Sequence, residues 1–364
     1  MNVRTSLIAA LSPALAILAV SPAAPAWQRN PAVEFADLPD DVNCRLRNPE
    51  GITVDRNTGE FYVADFDYKG TCGTGRIAVF SKSGKLLRIL RLNSSPALLG
   101  LDFHKTSPTT NELLVIDFGA HQVLRTDRNT GASTVFATLP PPFDVGAGLN
   151  ALTFDKAGNV YISDSFQATI WKTGPGGGVA TQWVTHPLLS VYGPTPGVAP
   201  TTNVPPFGAN GLAFNKNESV LFVANTANDT VVQIPVASGV PGTPTVFVNS
   251  INGADGLIID GDDNVWVAAN QSDEIVVVDP SGKAIAKLGD FDGIAPDGSP
   301  RGLLFPASPV FFGDFVYVTN LALDLRDFNP QFNAVDSQWA AEVSRWNVAR
   351  ISRHLPPTQG GLGR

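Results

Sequence analysis

Short runs of alternating hydrophobic and polar residues recur along the chain, and turn-forming residues separate them. One run places a small residue and then Ile or Leu after its opening residue, as in Glu50–Asp55 and Asn210–Asn215. A second run follows, such as Phe61–Asp65 or Val160–Asp164, in which aromatic and β-branched residues lead to Asp or Asn. Runs of this length and composition between turn signals predict β-strands.

The pair of runs occurs six times, at intervals of 45 to 60 residues. The opening residues of the first run are Glu50, Leu99, Asn150, Asn210, Asp255 and Arg301. Repeats of this length, each with several short strands, are typical of β-propeller blades. We therefore predict an all-β fold, a six-bladed β-propeller. The chain near Ala32–Phe35 is expected to supply the outer strand of blade six and to close the ring.

The first residues have the pattern of a signal peptide. Arg4 precedes an apolar run from Leu7 to Val20, and the small-x-small pattern at Ala24–Ala26 is typical of a cleavage site. The apolar run is too short and too interrupted for a membrane anchor, which needs about 20 apolar residues. We expect residues 1–26 to be removed and residues 27–364 to form a single propeller domain. The mature protein is predicted to be periplasmic or secreted, with no membrane attachment.

Composition narrows the classes of function. The chain of 364 residues has 33 acidic and 25 basic side chains, a net charge of −8, which argues against nucleic acid as a partner. Hydrophobic residues make up 43% and charged residues 16%, so the chain has enough apolar material for a large core. We expect a globular monomer that acts on a small molecule.

The chain has two cysteines, Cys44 and Cys72. Two cysteines are too few for a four-cysteine zinc site, whereas an exported protein favours a disulfide between them. We predict a Cys44–Cys72 disulfide close to the start of the first blade.

Two long segments, Gly174–Ala209 and Leu321–Ala341, lack the strand pattern. Both are expected at the same mouth of the propeller channel, where they would form a lid or pocket wall; ordinary loop variation is the alternative. Part of the second segment, around Val335–Trp346, is predicted to be helical. Aromatic residues expected near this mouth are Phe143, Trp183, Tyr192, Phe207 and Trp339.

The six opening residues are expected to form one circle around the axis of the ring. Four of them offer oxygen atoms: Glu50, Asn150, Asn210 and Asp255. Two carboxylates and two carboxamides suit Ca²⁺, which takes six to eight oxygen ligands, and another divalent cation is the alternative. Zinc is not favoured, because the circle has no His or Cys. We therefore predict a central metal site.

These residues and motifs resemble the gluconolactonase/regucalcin-type six-bladed propellers, the senescence marker protein-like family, with paraoxonase and diisopropyl fluorophosphatase as more distant relatives. The likeness covers the mature chain, and Asn210-Gly-Leu-Ala-Phe is similar to the strand openings of the family. The resemblance implies a Ca²⁺ ion held by Glu50, Asn150, Asn210 and Asp255, and hydrolysis of a lactone or ester. It does not extend to the channel histidines of the distant relatives.

The chemistry of such a site assigns roles to single residues. Asp255 is the candidate catalytic residue, either as a general base toward water or as a nucleophile. Arg301, which is expected on the same circle, and Asn150 are candidates for substrate binding, since a guanidinium binds a carboxylate or an ester oxygen well. The alternative function is a non-enzymatic propeller that uses Ca²⁺ structurally and binds a partner outside the cytoplasm.

Overall fold

The computed structural model describes residues 30–42, 44–104, 112–191, 207–330 and 336–355. The predicted signal peptide, 1–26, lies outside the described residues. Three strands precede the first blade: β1 (Val33–Asp37), β2 (Asp40–Asp41) and β3 (Cys44–Arg45). Strands β2 and β3 form a small antiparallel hairpin.

Blades one to three are four-stranded antiparallel sheets whose strands follow one another from the channel outward. Blade one consists of β4 (Pro49–Asp55), β5 (Glu60–Asp65), β6 (Arg76–Phe80) and β7 (Leu86–Arg91). Blade two consists of β8 (Leu98–Phe103), β9 (Glu112–Asp117), β10 (Gln122–Asp127) and β11 (Ser133–Thr138). Blade three consists of β12 (Leu149–Phe154), β13 (Val160–Asp164), β14 (Thr169–Thr173) and β16 (Thr181–Thr185), while β15 (Gly178–Val179) extends blade two beside β11.

Blades four to six follow the same plan. Blade four consists of β17 (Ala209–Phe214), β18 (Val220–Asn225), β19 (Thr230–Ala237) and β21 (Thr245–Asn249), with the short β20 (Val240–Pro241) beside β19. Blade five consists of β22 (Ala254–Ile259), β23 (Val265–Ala269), β24 (Glu274–Val278) and β25 (Ala284–Leu288). A hairpin of β26 (Phe291–Ile294) and β27 (Pro300–Gly302) precedes blade six, which consists of β28 (Pro306–Phe312), β29 (Phe315–Asn320), β30 (Asn347–Ser352) and β1.

The pairing of β1 with β30 closes the ring. Val33 lies opposite Arg350 and Ala36 opposite Val348, so the N-terminal strand covers the free edge of blade six. Phe35 packs against Phe61 of blade one and Tyr317 of blade six, with ring centroids 4.9 and 4.7 Å away. The prediction of a six-bladed propeller closed by an N-terminal strand is confirmed.

The core lies between neighbouring blades, because each strand of a blade turns apolar side chains to both faces of its sheet. Trp171 and Trp266 are among the largest fully buried side chains. Glycines let the innermost strands approach each other around the channel: a Cβ atom on Gly211 would lie 2.6 Å from the carbonyl oxygen of Asp255. None of the helices in the described ranges is long and apolar enough to span a membrane.

Two local predictions need correction. The segment Gly174–Ala209 is not all loop, since it contains β15, β16 and a short 3₁₀ helix at Pro187–Leu189. Strand β16 pairs antiparallel with β14 as the outermost strand of blade three. Its sequence, Thr-Gln-Trp-Val-Thr, has only two hydrophobic residues, so the hydrophobic pattern did not predict it. The helix in the second segment is only one turn, α1 (Ser337–Ala340), and residues 331–335 lie outside the described residues.

The predicted disulfide between Cys44 and Cys72 is present, with the two Cα atoms 5.3 Å apart. It joins β3 to the connection between β5 and β6. The bond therefore fastens the segment that enters blade one to the loop that leaves its second strand.

Candidate functional site

One pocket at the centre of the ring brings together Glu50, Asn150, Asn210 and Asp255. Each is the second residue of an innermost strand: β4, β12, β17 or β22. The pocket is small, with a cavity volume of about 30 Å³. All four side chains are at most 5% exposed. The innermost strands of different blades thus carry four polar side chains into a space shielded from solvent.

Each of the four side chains has an oxygen atom that receives no hydrogen bond from any described residue. These atoms are Glu50 Oε2, Asn150 Oδ1, Asn210 Oδ1 and Asp255 Oδ1. A buried polar atom without a partner is costly, so such atoms in one pocket indicate a ligand. The pocket is lined by two carboxyl groups, and Lys, Arg and His are missing from its described lining. The donor set therefore fits a hard cation that accepts oxygen ligands.

The side-chain amide groups of Asn150 and Asn210 each donate a hydrogen bond to a hydroxyl group. Asn150 Nδ2 donates to Ser165 Oγ at 3.3 Å, and Ser165 Oγ donates to the carbonyl oxygen of Ala209 at 2.7 Å. In the next blade, Asn210 Nδ2 donates to Thr226 Oγ1 at 2.9 Å, which donates to the carbonyl oxygen of Ala254 at 2.8 Å. Because each amide nitrogen is engaged, the two carboxamide oxygens remain available to a ligand.

Asp255 is oriented in a similar way by Asn270. Nδ2 of Asn270 donates to Oδ2 of Asp255 at 2.9 Å. Burial raises the pKa of Asp255 to about 7, and the hydrogen bond from Asn270 offsets part of that shift because it stabilises the carboxylate. The carboxyl group thus has one oxygen engaged and one free.

Glu50 shares the pocket with Asp255. Burial raises the pKa of Glu50 well above its usual value, and the negative charge of Asp255 raises it further. Two buried carboxyl groups without a basic neighbour favour protonation unless a cation neutralises them. The same arrangement would therefore bind a divalent cation in its deprotonated form.

Within the described ranges, no group of three or more His, Cys, Asp and Glu side chains could hold a metal ion. The central pocket has only two side chains of these types, and its other two oxygen donors are carboxamides. A site of this composition is suited to Ca²⁺ rather than to a metal that prefers nitrogen or sulfur.

Arg301 does not lie on the circle, and this part of the prediction is wrong. It belongs to β27, is exposed, and donates from Nη2 to the carbonyl oxygen of Asp292 at 2.8 Å. The innermost strand of blade six begins at Pro306, which pairs with Asn320, so Ala307 occupies the sixth position. The phrase that starts at Arg301 has the residue order of a first run, but it covers the end of β27 and the connection to β28.

Above the polar floor, the wall of the pocket is apolar. Its members come from several blades and from the connection after β29: Phe66, Leu99, Phe207, Phe305, Leu321, Leu323 and Leu325. Both predicted wall segments contribute, the first through Phe207 and the second through its three leucines. The prediction of a pocket wall is confirmed for these residues.

Three of the five aromatic residues expected near this mouth do not line the central pocket. Trp183 is in β16 and packs on Tyr161, with ring centroids 5.0 Å apart. Phe143 packs on Trp171, and Trp339 packs on Phe291. None of the three lines the pocket as described. Tyr192 lies outside the described residues.

Sequence reasoning did not identify Ser165 and Thr226, two of the residues that orient the ligands. Ser165 and Thr226 come one residue after the strands β13 and β18, and Asn270 comes one residue after β23. The preceding strand-end residues have a different role: Asp164, for example, accepts hydrogen bonds from the backbone amides of Gly148 and Phe166. Extending the second runs of blades three and four by one residue would have included Ser165 and Thr226.

Two protein-family models match parts of this chain. The model of the SMP-30/Gluconolactonase/LRE-like region matches residues 106–289, half of the chain, and an NHL-repeat model matches residues 46–80. The search of curated proteins yields no match.

Three solved structures have the same fold. A luciferin-regenerating enzyme is 15% identical with a TM-score of 0.58, covering 88% of this chain and 92% of its own. Regucalcin from Agrobacterium tumefaciens str. C58, a calcium-binding protein, is 17% identical with a TM-score of 0.56 over 87% and 93%. A gluconolactonase from Xanthomonas campestris is 16% identical with a TM-score of 0.56 over 83% and 96%.

Proposed function

The chain belongs to the SMP-30/gluconolactonase/LRE-like family, and on this premise we propose that it is a Ca²⁺-dependent hydrolase of lactones or related esters. One observation carries the proposal. Four buried oxygen atoms without hydrogen-bond partners among the described residues line one pocket, at equivalent positions of four blades. The family indicates lactone chemistry, and these oxygens are the groups that would hold its cation.

Glu50, Asn150, Asn210 and Asp255 would hold the ion. Two carboxylates balance its charge, so a loaded site is close to neutral and accepts an uncharged ester. When bound, the cation acts as a Lewis acid toward the carbonyl oxygen of the substrate and stabilises the negative charge that develops there. Asn150 has the further role of contacting the substrate beside the ion.

Asp255 has the catalytic role in this proposal. Its carboxylate either takes a proton from the attacking water or attacks the carbonyl carbon itself. Its position supports this role, because Oδ1 of Asp255 lies in the central pocket and receives no hydrogen bond from the described residues. Asn270 keeps the carboxyl group in one orientation for this step.

We also propose that the protein acts outside the cytoplasm. The Cys44–Cys72 disulfide supports this location, because disulfides persist in oxidising compartments. The N-terminal pattern described above is the corresponding export signal.

The test is to purify the protein and to follow acid release from a panel of γ- and δ-lactones and aryl esters, with and without a chelator. We expect turnover that chelation removes and that added Ca²⁺ restores. The Asp255→Asn variant should lose activity, while Asp262→Asn, an exposed aspartate in the β22–β23 hairpin, should retain it.

A second readout does not depend on turnover. Ca²⁺ should raise the melting temperature of the wild-type protein and of Asp262→Asn, and much less that of Asp255→Asn. Turnover that persists in chelator would refute the proposed Ca²⁺ dependence, and no turnover of any compound in the panel would refute the proposed hydrolase.

A further inference from the structure

We propose that this protein has a second binding site, in the other half of its channel, for an organic ammonium ion with an apolar body. The site goes beyond the proposed hydrolase function and does not depend on it. Its carboxylate is that of Asp102, in the innermost strand of blade two. The ammonium group pairs with this carboxylate, and the hydrocarbon part contacts the apolar side of the channel.

The site is a cavity of about 670 Å³ at the end of the channel opposite to the central pocket. The hairpins between the first and second strands of the blades form its rim, through residues such as Arg56, Lys156 and Lys216. Among the described residues, the two cavities share no lining residue. A volume of this size is typical of small-molecule sites. The cavity therefore has room for a ligand that the central pocket is too small to hold.

One circle of side chains lines this cavity, with one residue from each blade. Each member lies three positions after a member of the central circle: Thr53, Asp102, Thr153, Ala213, Ile258 and Val310. In the second strands, their cross-strand partners are Tyr62, Leu114, Tyr161, Phe222, Trp266 and Tyr317. Five of the six members are partly exposed, whereas the residue before each member is buried. Because the register is the same in all six blades, these side chains face the cavity at one level.

The circle is divided into a polar and an apolar half. Blades one to three contribute the polar members, Thr53, Asp102 and Thr153, and blades four to six contribute the apolar members, Ala213, Ile258 and Val310. Partly exposed apolar side chains inside a cavity indicate a ligand site, because contact with hydrocarbon removes their surface from water. A ligand with one polar and one apolar side matches this division.

Asp102 has one oxygen atom engaged and one available. Oδ1 accepts hydrogen bonds from Thr53 Oγ1 and from the backbone N–H of Phe103, both at 2.8 Å. Oδ2 receives no hydrogen bond from the described residues, and none of their basic side chains pairs with this carboxylate. An ammonium ion supplies both the charge and the donor that Oδ2 lacks. One carboxylate and two hydroxyl groups are too few to hold a divalent cation.

The basic side chains at the rim do not reverse this preference for a cation. Arg56, Lys156 and Lys216 are exposed, in the hairpins that follow the innermost strands. Nζ of Lys156 donates to the carbonyl oxygen of Lys216 at 3.2 Å, and Nζ of Lys216 donates to that of Gly261 at 3.4 Å. Salt screens such exposed charges. The sign of the ligand is therefore set by Asp102, which lies within the strand and deeper in the channel.

The test uses three probes of similar shape and different charge: 2-phenylethylamine, 2-phenylethanol and 3-phenylpropanoate. Calorimetric titration at neutral pH and physiological ionic strength measures their binding, first in chelator and then with Ca²⁺. We expect a Kd below about 1 mM for the amine and an affinity about tenfold lower for the alcohol, because only the amine pairs with the carboxylate. The anionic probe should not bind measurably. Ca²⁺ should leave the affinity for the amine unchanged, since it binds in a different cavity.

The decisive variant is Asp102→Asn. It removes the charge but keeps an oxygen acceptor for Thr53 and Phe103, so the fold is retained, and the affinity for the amine should fall about tenfold, to that of the alcohol. The matched control is Asp262→Asn, which also removes one negative charge but lies in the exposed β22–β23 hairpin, outside the described lining of the cavity. Val310→Thr keeps the shape of its side chain and should weaken the amine and the alcohol alike, by about threefold.

Each alternative result refutes the second site. If none of the three probes binds, or if the anionic probe binds more tightly than the amine, the inference is wrong. The same holds if Asp102→Asn keeps the full affinity for the amine, or if Asp262→Asn weakens binding as much as Asp102→Asn does. Binding of the amine that requires Ca²⁺ would place it in the central pocket and would also overturn the inference. These results leave the proposed hydrolase intact, because lactone turnover is measured separately and depends on the central pocket.

Discussion

Asn270 donates a hydrogen bond from Nδ2 to Oδ2 of Asp255 at 2.9 Å, across the innermost pair of strands in blade five. The contact leaves Oδ1 of the aspartate in the pocket, without a hydrogen bond from the described residues. Asn150 and Asn210 likewise use one polar atom, Nδ2, to donate to Ser165 and Thr226 and keep Oδ1 without a hydrogen bond from the described residues. In each case the residue that directly follows the second strand of the blade hydrogen-bonds one polar atom of the side chain and leaves an oxygen atom available to a ligand.

The contact between Asn270 and Asp255 predicts an effect on metal affinity. Asn270→Ala should lower the affinity for Ca²⁺ by about 10- to 100-fold, because the carboxylate loses the partner that orients it. Calorimetric titration of the purified variant with Ca²⁺ measures this change.

The matched control is Asn264→Ala. Asn264 donates to Asp260 at 2.9 Å in the β22–β23 hairpin, outside the lining of the central pocket. It is expected to bind Ca²⁺ like the wild-type protein. Equal affinities for both alanine variants would refute an orienting role for Asn270.

Thr226 connects two blades, since it accepts from Asn210 and donates to the carbonyl oxygen of Ala254. Thr226→Val should lower the free energy of unfolding by about 1–3 kcal/mol, because it leaves a buried donor and a buried acceptor unpaired. It should also weaken Ca²⁺ binding. Urea denaturation measures the first effect, and Thr226→Ser, which keeps the hydroxyl group, should restore both properties. A serine variant as unstable as the valine variant would contradict this assignment.

Asp273 and Asp336 form a second pair of buried carboxyl groups, away from the central pocket. Burial raises the pKa of Asp273 to about 8 and that of Asp336 to about 7, and the charge of Asp336 adds to the shift of Asp273. The folded state therefore retains protons that the unfolded chain has released. This stabilisation is present below the normal pKa of aspartate and is lost as the pH rises through 7 to 8.

The free energy of unfolding should thus fall with rising pH, by up to about 1.4 kcal/mol per pH unit for each proton involved. Asp336→Asn should flatten this dependence, and the exposed Asp314→Asn should not. Urea denaturation between pH 5.5 and 8.5 measures the slopes. Identical slopes for the wild-type protein and Asp336→Asn would exclude the pair as the cause.

The Cys44–Cys72 disulfide is expected to contribute to the free energy of unfolding. Replacing Cys44 and Cys72 by serine should reduce the free energy of unfolding by about 3–4 kcal/mol, because the unfolded chain regains the freedom of the closed loop. Reduction of the wild-type protein should have a similar effect in denaturant. Coincident unfolding curves of the oxidised wild-type protein and the double variant would contradict the prediction.

Sequence reasoning was accurate where a feature repeats. The first runs of five blades were read in the correct register, and these blades carry all the oxygen donors of the pocket. It was wrong in blade six, where the phrase that starts at Arg301 has the residue order of a first run and Arg301 took the place of Ala307. A local pattern cannot distinguish a strand of the ring from such a phrase before it, because both have the same order of residues.

The sequence by itself determined the number of blades, their closure by an N-terminal strand, the disulfide pair, and the residue types on the circle. Each of these follows from a periodic pattern or from the count of one residue type, which local chemistry dictates. Only the tertiary structure decided which side chains orient the oxygen donors and which apolar residues cover them. Phe66, Phe207, Phe305 and Leu325 are far apart in the chain and meet only because the ring closes, so no local pattern could have predicted the pocket they form.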